Sequence, residues 1–202
     1  VWSLITPIMM LAIYTFVFSA IFQAKWNSGS DSKTEFALLL FAGLLIFNLF
    51  SECVSRAPTL ISGNVNYVKK VVFPLEVIPV VTVLAALFHL LMSLAVWLLG
   101  YFIFFGYPSV CILAMPLVLI PLLLMALGLT WLLSSLCVYL KDISQLVGVG
   151  ITAMMFLSPI FYPASALPVK YQGVFMLNPL TSIIEMTRDV LFFAKWPDAS
   201  LL

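Results

Sequence analysis

Apolar residues in this chain come in long runs, and the few charged residues fall between them. An ion at mid-bilayer is costly and therefore rare, so the gaps between charges can be read as membrane spans. Val1 to Ala24 carries no charge and closes on Gln23, Lys25 and Trp26, the mixture of polar and aromatic residues found at a membrane interface. It predicts a first transmembrane helix, with Pro7 near the start, where proline is best tolerated. Lys25 to Glu35, KWNSGSDSKTE, predicts an aqueous loop. Phe36 to Ser51 predicts a second span, short unless it continues past Glu52 towards Arg56. That continuation sets the two charges at i, i+4, the spacing of an ion pair on one helix face, read first as a snorkelling pair at the membrane edge.

From Val77 to Leu140 no residue carries a formal charge. As one helix this run would reach roughly 96 Å, about three times the hydrocarbon thickness of ~30 Å. The segment Gly100 to Ser109, GYFIFFGYPS, supplies glycines, a proline and interfacial tyrosines, and splits the run into a third and a fourth span. A fifth is predicted from Ile143 to about Phe161, after the charged turn Lys141-Asp142. Pro159, Pro163 and Pro168 then interrupt helical continuity, and Tyr171 to Phe193 gives shorter apolar pieces divided at Asn178-Pro179. Glu185, Arg188 and Asp189 share one helical face, leaving Ile183, Ile184, Met186 and Leu191 for the others. These pieces predict short interfacial or re-entrant helices. The expected fold class is an all-α polytopic transmembrane bundle with five spans.

Composition supports that class and removes others. Hydrophobic residues make up 64% of the 202 and charged residues 8%, against about 25% charged in a soluble domain. The mean hydropathy is +1.19. A soluble enzyme, a nucleic-acid binder and a disordered chain are excluded. Nine Lys and Arg against eight Asp and Glu leave a formal net charge of +1 and no basic face for nucleic acid. With Val1 towards the cytoplasm, the short inside loops hold Arg56, Lys69, Lys70 and Lys141 against Lys25 and Lys33 outside, a bias in the direction of the positive-inside rule. Cys53, Cys111 and Cys137 are far apart and read as small apolar residues. Position 1 is Val and opens directly into an apolar run, with none of the basic residues that lead a signal peptide, so a trimmed domain is expected.

No catalytic constellation emerges, and no metal site. His89 lies deep in an apolar run and is either a proton-handling group or a neutral imidazole bonded between helices; with no carboxylate evident inside a span, the second reading is favoured. There is no phosphate-binding loop, so uphill transport would draw its energy from another chain or from an ion gradient. Ala57 to Pro79, APTLISGNVNYVKKVVFPLEVIP, is too polar to span and too apolar for a plain loop. Pro58 can open a short helix, Leu60, Ile61, Val65 and Val68 can form an apolar stripe, and Pro74 ends it. Such an element either docks a partner protein or lies on lipid headgroups.

NYVKKVVFPLEVIP at Asn66 to Pro79 resembles a signature of type-2 ABC transporter permeases that export polysaccharides such as O-antigen, capsule and teichoic acid, with Phe73, Pro74, Glu76 and Pro79 among its residues. WSLITPIMMLAIYTFVFSAIFQAKW at Trp2 to Trp26, VYLKDISQLVG at Val138 to Gly148, and LSPIFYP with LNPLTSIIEMTRDVLF between Leu157 and Phe192 agree in order and spacing.

The resemblance implies a single permease domain over residues 1–202, six spans in the intact protein, a preceding amphipathic helix and both termini in the cytoplasm; at both ends this sequence departs from that pattern. It implies two permease copies in the cytoplasmic membrane paired with two ATP-hydrolysing subunits. ATP and Mg would sit on those partners, and this chain would carry no cofactor. It further implies that Ser62, Gly63, Asn64, Val65, Asn66, Tyr67, Val68, Lys69 and Lys70 form a coupling helix, with a second docking surface at Lys141 and Asp142. Short helices at Ala164 to Gln172 and Pro179 to Phe193 would guard the external exit through Pro168, Tyr171, Asn178, Pro179, Glu185 and Arg188. Tyr14, Phe18 and Phe22 on one face of the first span, with Phe156, Phe161 and Tyr162 at the end of the fifth, could line a path for a lipid-linked glycan, or else pack helices and face membrane lipid. Two other readings stay open: a permease for drugs or smaller lipids, and an intramembrane glycolipid-modifying enzyme with His89 as base.

Overall fold

The computed structural model describes residues 2–17, 33–64, 74–162, 173, 175 and 178–197. The elements are α1 (Trp2–Phe16), α2 (Lys33–Arg56), a 3-10 turn (Ala57–Thr59), α3 (Leu60–Gly63), α4 (Val77–Phe105), a second 3-10 turn (Val110–Ala114), α5 (Met115–Tyr139), α6 (Ile143–Leu157) and α7 (Pro179–Leu191). No strand occurs among the described residues. Thr34–Gly63, Val77–Phe105 and Val110–Tyr139 are long and apolar enough to cross a membrane, and Ile5–Phe16 and Ile143–Leu157 are shorter apolar helices. The chain is a polytopic helical membrane protein.

Helix α2 is the central mast. Glu35 stands in its first turn and Arg56 in its last, each suited to the helix dipole at that end. Leu39, Leu40, Ala42 and Ile46 are fully buried, so its surface is covered nearly all round. α4 and α5 pack against it and turn their other faces outwards, exposing Leu99, Ile103, Leu124 and Leu132, as lipid-facing positions require.

The break between the third and fourth spans is narrower than predicted. Gly100 stays buried inside α4, and the chain leaves the helix at Gly106, whose φ of 84° suits a residue without Cβ. The Ser109 side chain then accepts from the Cys111 amide and opens the next turn. The fifth span is shorter than expected: α6 ends at Leu157 because Ser158 turns extended ahead of Pro159. Fifteen residues reach about 22 Å, and the corner that follows is covered by protein, Ser158 and Ile160 being fully buried. Non-helical backbone at membrane depth is tolerated under such cover.

Two sets of contacts align the bundle. At one end the Trp131 indole N–H donates to the Glu76 carbonyl (3.0 Å) and Ala57 is buried where the 3-10 turn meets α5. At the other the Trp97 indole N–H donates to the Leu38 carbonyl (2.9 Å), and the Cys111 thiol to the Ala194 carbonyl (3.1 Å). Largely exposed Tyr139 marks the first end, and Tyr107 and Trp196 the second, as interfacial aromatics do. All three cysteines are free and buried.

Candidate functional site at the two ends of the central helix

At its C-terminal end α2 runs past Glu52 to Arg56 and passes through the 3-10 turn, where Pro58 occupies an early position, into α3. The predicted ion pair is present, with the Arg56 guanidinium 2.8 Å from Glu52. It is more than an edge pair. The His89 Nδ1 lies 3.0 Å from both Glu52 carboxylate oxygens, so an Nδ1–H there donates to them across the α2–α4 contact. The expectation of an imidazole bonded between helices is met, while the premise that no carboxylate lies within reach is corrected. The Glu52 side chain is 21% exposed and that of Arg56 54%, so the cation end is wet and the carboxylate carries the tie inwards.

The segment implied as coupling helix grows from this end. Ser62, Gly63 and Asn64 close α3, the Asn64 amide donating to the Ile61 carbonyl and its side-chain N–H to the Leu60 carbonyl. Val65, Asn66, Tyr67, Val68, Lys69, Lys70 and Phe73 lie outside the described residues. The chain re-enters at Pro74, and Pro79 falls in the first turn of α4, where its missing N–H costs little. Lys141 and Asp142 form the exposed turn between α5 and α6 at this same end. Both flanks of the segment are therefore anchored, one through Glu52 to α4, the other through Glu76 to α5.

Helix α7 occupies the opposite end. Asn178-Pro179, read in the sequence only as an interruption, is its start: the Asn178 side chain accepts from the Leu180 amide (3.0 Å) and Pro179 takes the first position. The Asn178 amide N–H₂ also donates to the Leu157 carbonyl and the Ser158 hydroxyl, tying α7 to the end of α6. The three charges do not form a wet face. Glu185 and Asp189 are partly exposed, but Arg188 is only 3% exposed and Thr187 fully buried. The helix is thus packed within the bundle against α2 and α5. Pro168 and Tyr171, with the rest of the first predicted exit helix, lie outside the described residues.

The aromatic residues proposed for a path do not form one stripe. Tyr14 packs against the bundle core from α1, and Phe18 and Phe22 lie outside the described residues. Phe161 also packs on the core, Phe156 is exposed on α6, and the Tyr162 hydroxyl donates to the Phe156 carbonyl. Instead α6, which buries only Val147, presents an open face holding Gln145, Gly148, Thr152 and Phe156 at helical spacing. Sequence reading missed the cluster in which Trp97, Tyr101 and Phe105 stack along α4 while Phe192 meets Tyr101 and Phe105 edge-on. Its signal was there, since Trp97, Tyr101 and Phe105 recur at i, i+4, i+8.

Comparison with known proteins bears on this arrangement. Residues 1–192 match the family model for the ABC-2 type transporter membrane domain. An O-antigen export system permease protein RfbA from Klebsiella pneumoniae is 26% identical over 190 residues, covering 94% of this chain and 71% of the relative. The protein of the same name from Myxococcus xanthus is 25% identical over 203 residues, covering 100% and 75%. Polysialic acid transport protein KpsM from Escherichia coli is 23% identical over 197 residues, covering 94% and 72%. A match across nearly the whole length of the chain means that it belongs to the ABC-2 type transporter family, as a membrane-spanning permease.

Proposed function

We propose that this chain is the membrane subunit of an ATP-driven exporter that carries a lipid-linked polysaccharide across the cytoplasmic membrane, acting as a pair of copies with a separate ATP-hydrolysing subunit. ATP and Mg belong to that subunit, and the part of this chain is to receive its motion and shape the path. The observation that carries the reading is the open face of α6. Gln145, Gly148, Thr152 and Phe156 share that exposed side, and the Thr152 hydroxyl, which donates to the Gly148 carbonyl, keeps its lone pairs free to accept. The same face suits a passage formed with a second copy, where amide and hydroxyl groups meet sugar hydroxyls and a ring such as Phe156 stacks on the apolar face of a sugar. The names of the relatives favour polysaccharide over drugs or smaller lipids.

On this reading Ser62 to Lys70 seats on the ATPase, with Lys141-Asp142 beside it. Displacement of that segment reaches α2 and α4 together, because Glu52 and His89 join them just above it. On this reading His89 ties α2 to α4 through Glu52, and what weighs against the enzyme reading is the match to a permease family. Affinity purification of the tagged permease from its native membrane tests the assembly. The expected result is recovery of a chain carrying a GxxxxGK[ST] motif, with ATPase activity in the eluate; recovery of the permease free of any such chain would count against it.

A further inference from the structure

We propose that Arg188 is the positioning residue that fastens the exit helix α7 to the central mast α2, so that the two move as one body when the transporter cycles. This rests on the export reading in taking α7 as the exit helix, but the attachment itself stands on geometry. The guanidinium is buried and its nitrogens reach three carbonyls on two different elements. Nε donates to Leu39 of α2 (3.1 Å), Nη1 to Pro159 (2.6 Å) and Nη2 to Ile160 (2.7 Å), the last two in the corner that follows α6.

Each acceptor has a reason to take such a donor. Pro159 and Ile160 follow the end of a helix, where carbonyls have lost their helical partners, and burial denies them water. Leu39 sits inside α2, where its carbonyl keeps a second lone pair beyond the helical bond. A rigid guanidinium fork can serve all three at once, which the single ammonium of lysine cannot.

The mast is shaped to receive it. Gly43, one turn along α2 from Leu39, has no side chain, and a Cβ built there would stand 2.9 Å from Nη2 and 3.5 Å from Ile184 Cγ2. Gly43 therefore opens the room in which Arg188 reaches the Leu39 carbonyl. Because the other end of α2 continues into the segment assigned to ATPase coupling, a fixed attachment here makes one element connect the two sides of the transporter, and the corner that follows α6 is held to the same body through Pro159 and Ile160.

The test is a distance measurement between spin labels at Asn48 of α2 and Ser182 of α7 on one copy of the pair, the other copy unlabelled, in the complete transporter with its ATPase, without nucleotide and with ATP trapped by a hydrolysis-deficient ATPase. The expected result is a single narrow distribution, unchanged between the two states. Arg188→Met should replace it with a broad one, Arg188→Lys should fall between, and Gly43→Ala, which crowds the guanidinium while leaving Arg188 in place, should broaden it as well. Gly43→Ala keeps the test alive if Arg188→Met fails to fold. A wild-type distance that shifts with nucleotide, or variants as narrow as wild type, would overturn the proposal. No substrate enters this measurement, so a transporter of some other cargo would still give the expected distances, and a failed attachment would leave the export reading standing.

Discussion

Export by a transporter carrying Val68→Asp together with Lys69→Asp is expected to fall to background while ATP hydrolysis by the complex continues. In the sequence Val68 closes the apolar stripe begun by Leu60 and Ile61, and Lys69 follows it, so on the coupling reading one change puts a charge into the apolar stripe and the other reverses the sign beside it. A docking anchor at the centre of an interface contributes about 2 kcal/mol or more, a factor of roughly 30 in local engagement. The loss should be larger in transport than in binding, because Lys141 and Asp142 would still hold the ATPase nearby without transmitting its motion. The flanks give the segment its leverage: Glu52 to His89 on one side and Glu76 to Trp131 on the other leave little slack for a stroke to dissipate in. Parallel assays of ATP hydrolysis and glycan release check this, and normal export by the double variant would move the coupling site elsewhere.

The reach of sequence reading differed between residues for physical reasons. Glu52 and Arg56 were found because i, i+4 spacing is local, and the same holds for Pro58 opening the segment that follows. Gly106 and Ser109 were legible as a turn because their backbone chemistry is local too. The partner of His89 was invisible: Glu52 is 37 residues away, and which face of α4 meets α2 is settled by packing across the bundle. Arg188 misled for a related reason. Three charges on one helical face ordinarily mean water, but Arg188 faces carbonyls contributed by α2 and by the proline-broken corner, neither of which any periodicity within α7 can report. Phe156, Phe161 and Tyr162 were grouped by nearness in sequence, and Pro159 separates them by ending α6 between the first and the second.

Trp97→Ala is expected to be the most destabilising single substitution in the aromatic cluster, costing about 3–5 kcal/mol. The side chain is fully buried, its ring stacks on Tyr101 at 5.1 Å between centroids, and its N–H bonds to the Leu38 carbonyl. Lipid supplies no hydrophobic drive to close the cavity, so the cost comes from lost dispersion contacts and from the lost indole bond to the second lone pair of the Leu38 carbonyl. Trp97→Phe keeps most of the ring and should lose about 1 kcal/mol, chiefly the hydrogen bond. Leu99→Ala, two residues on and 64% exposed, serves as the control and should change little. Thermal unfolding in detergent checks the order. Equal shifts for Trp97→Ala and Leu99→Ala would mean that α4 does not pack against α2 through this face.

The central claim is that this permease moves a lipid-linked polysaccharide under the power of a separate ATPase. Its most direct test reconstitutes the permease and its partner in proteoliposomes loaded on the outer leaflet with a fluorescent lipid-linked glycan, the ATPase facing outwards, and follows protection of the glycan from an external glycosidase. ATP should produce time-dependent protection, absent with a hydrolysis-deficient ATPase and absent without the permease. Protection that proceeds equally without ATP, or ATP hydrolysis with no protection while the same vesicles transport a small amphipathic drug, would contradict it.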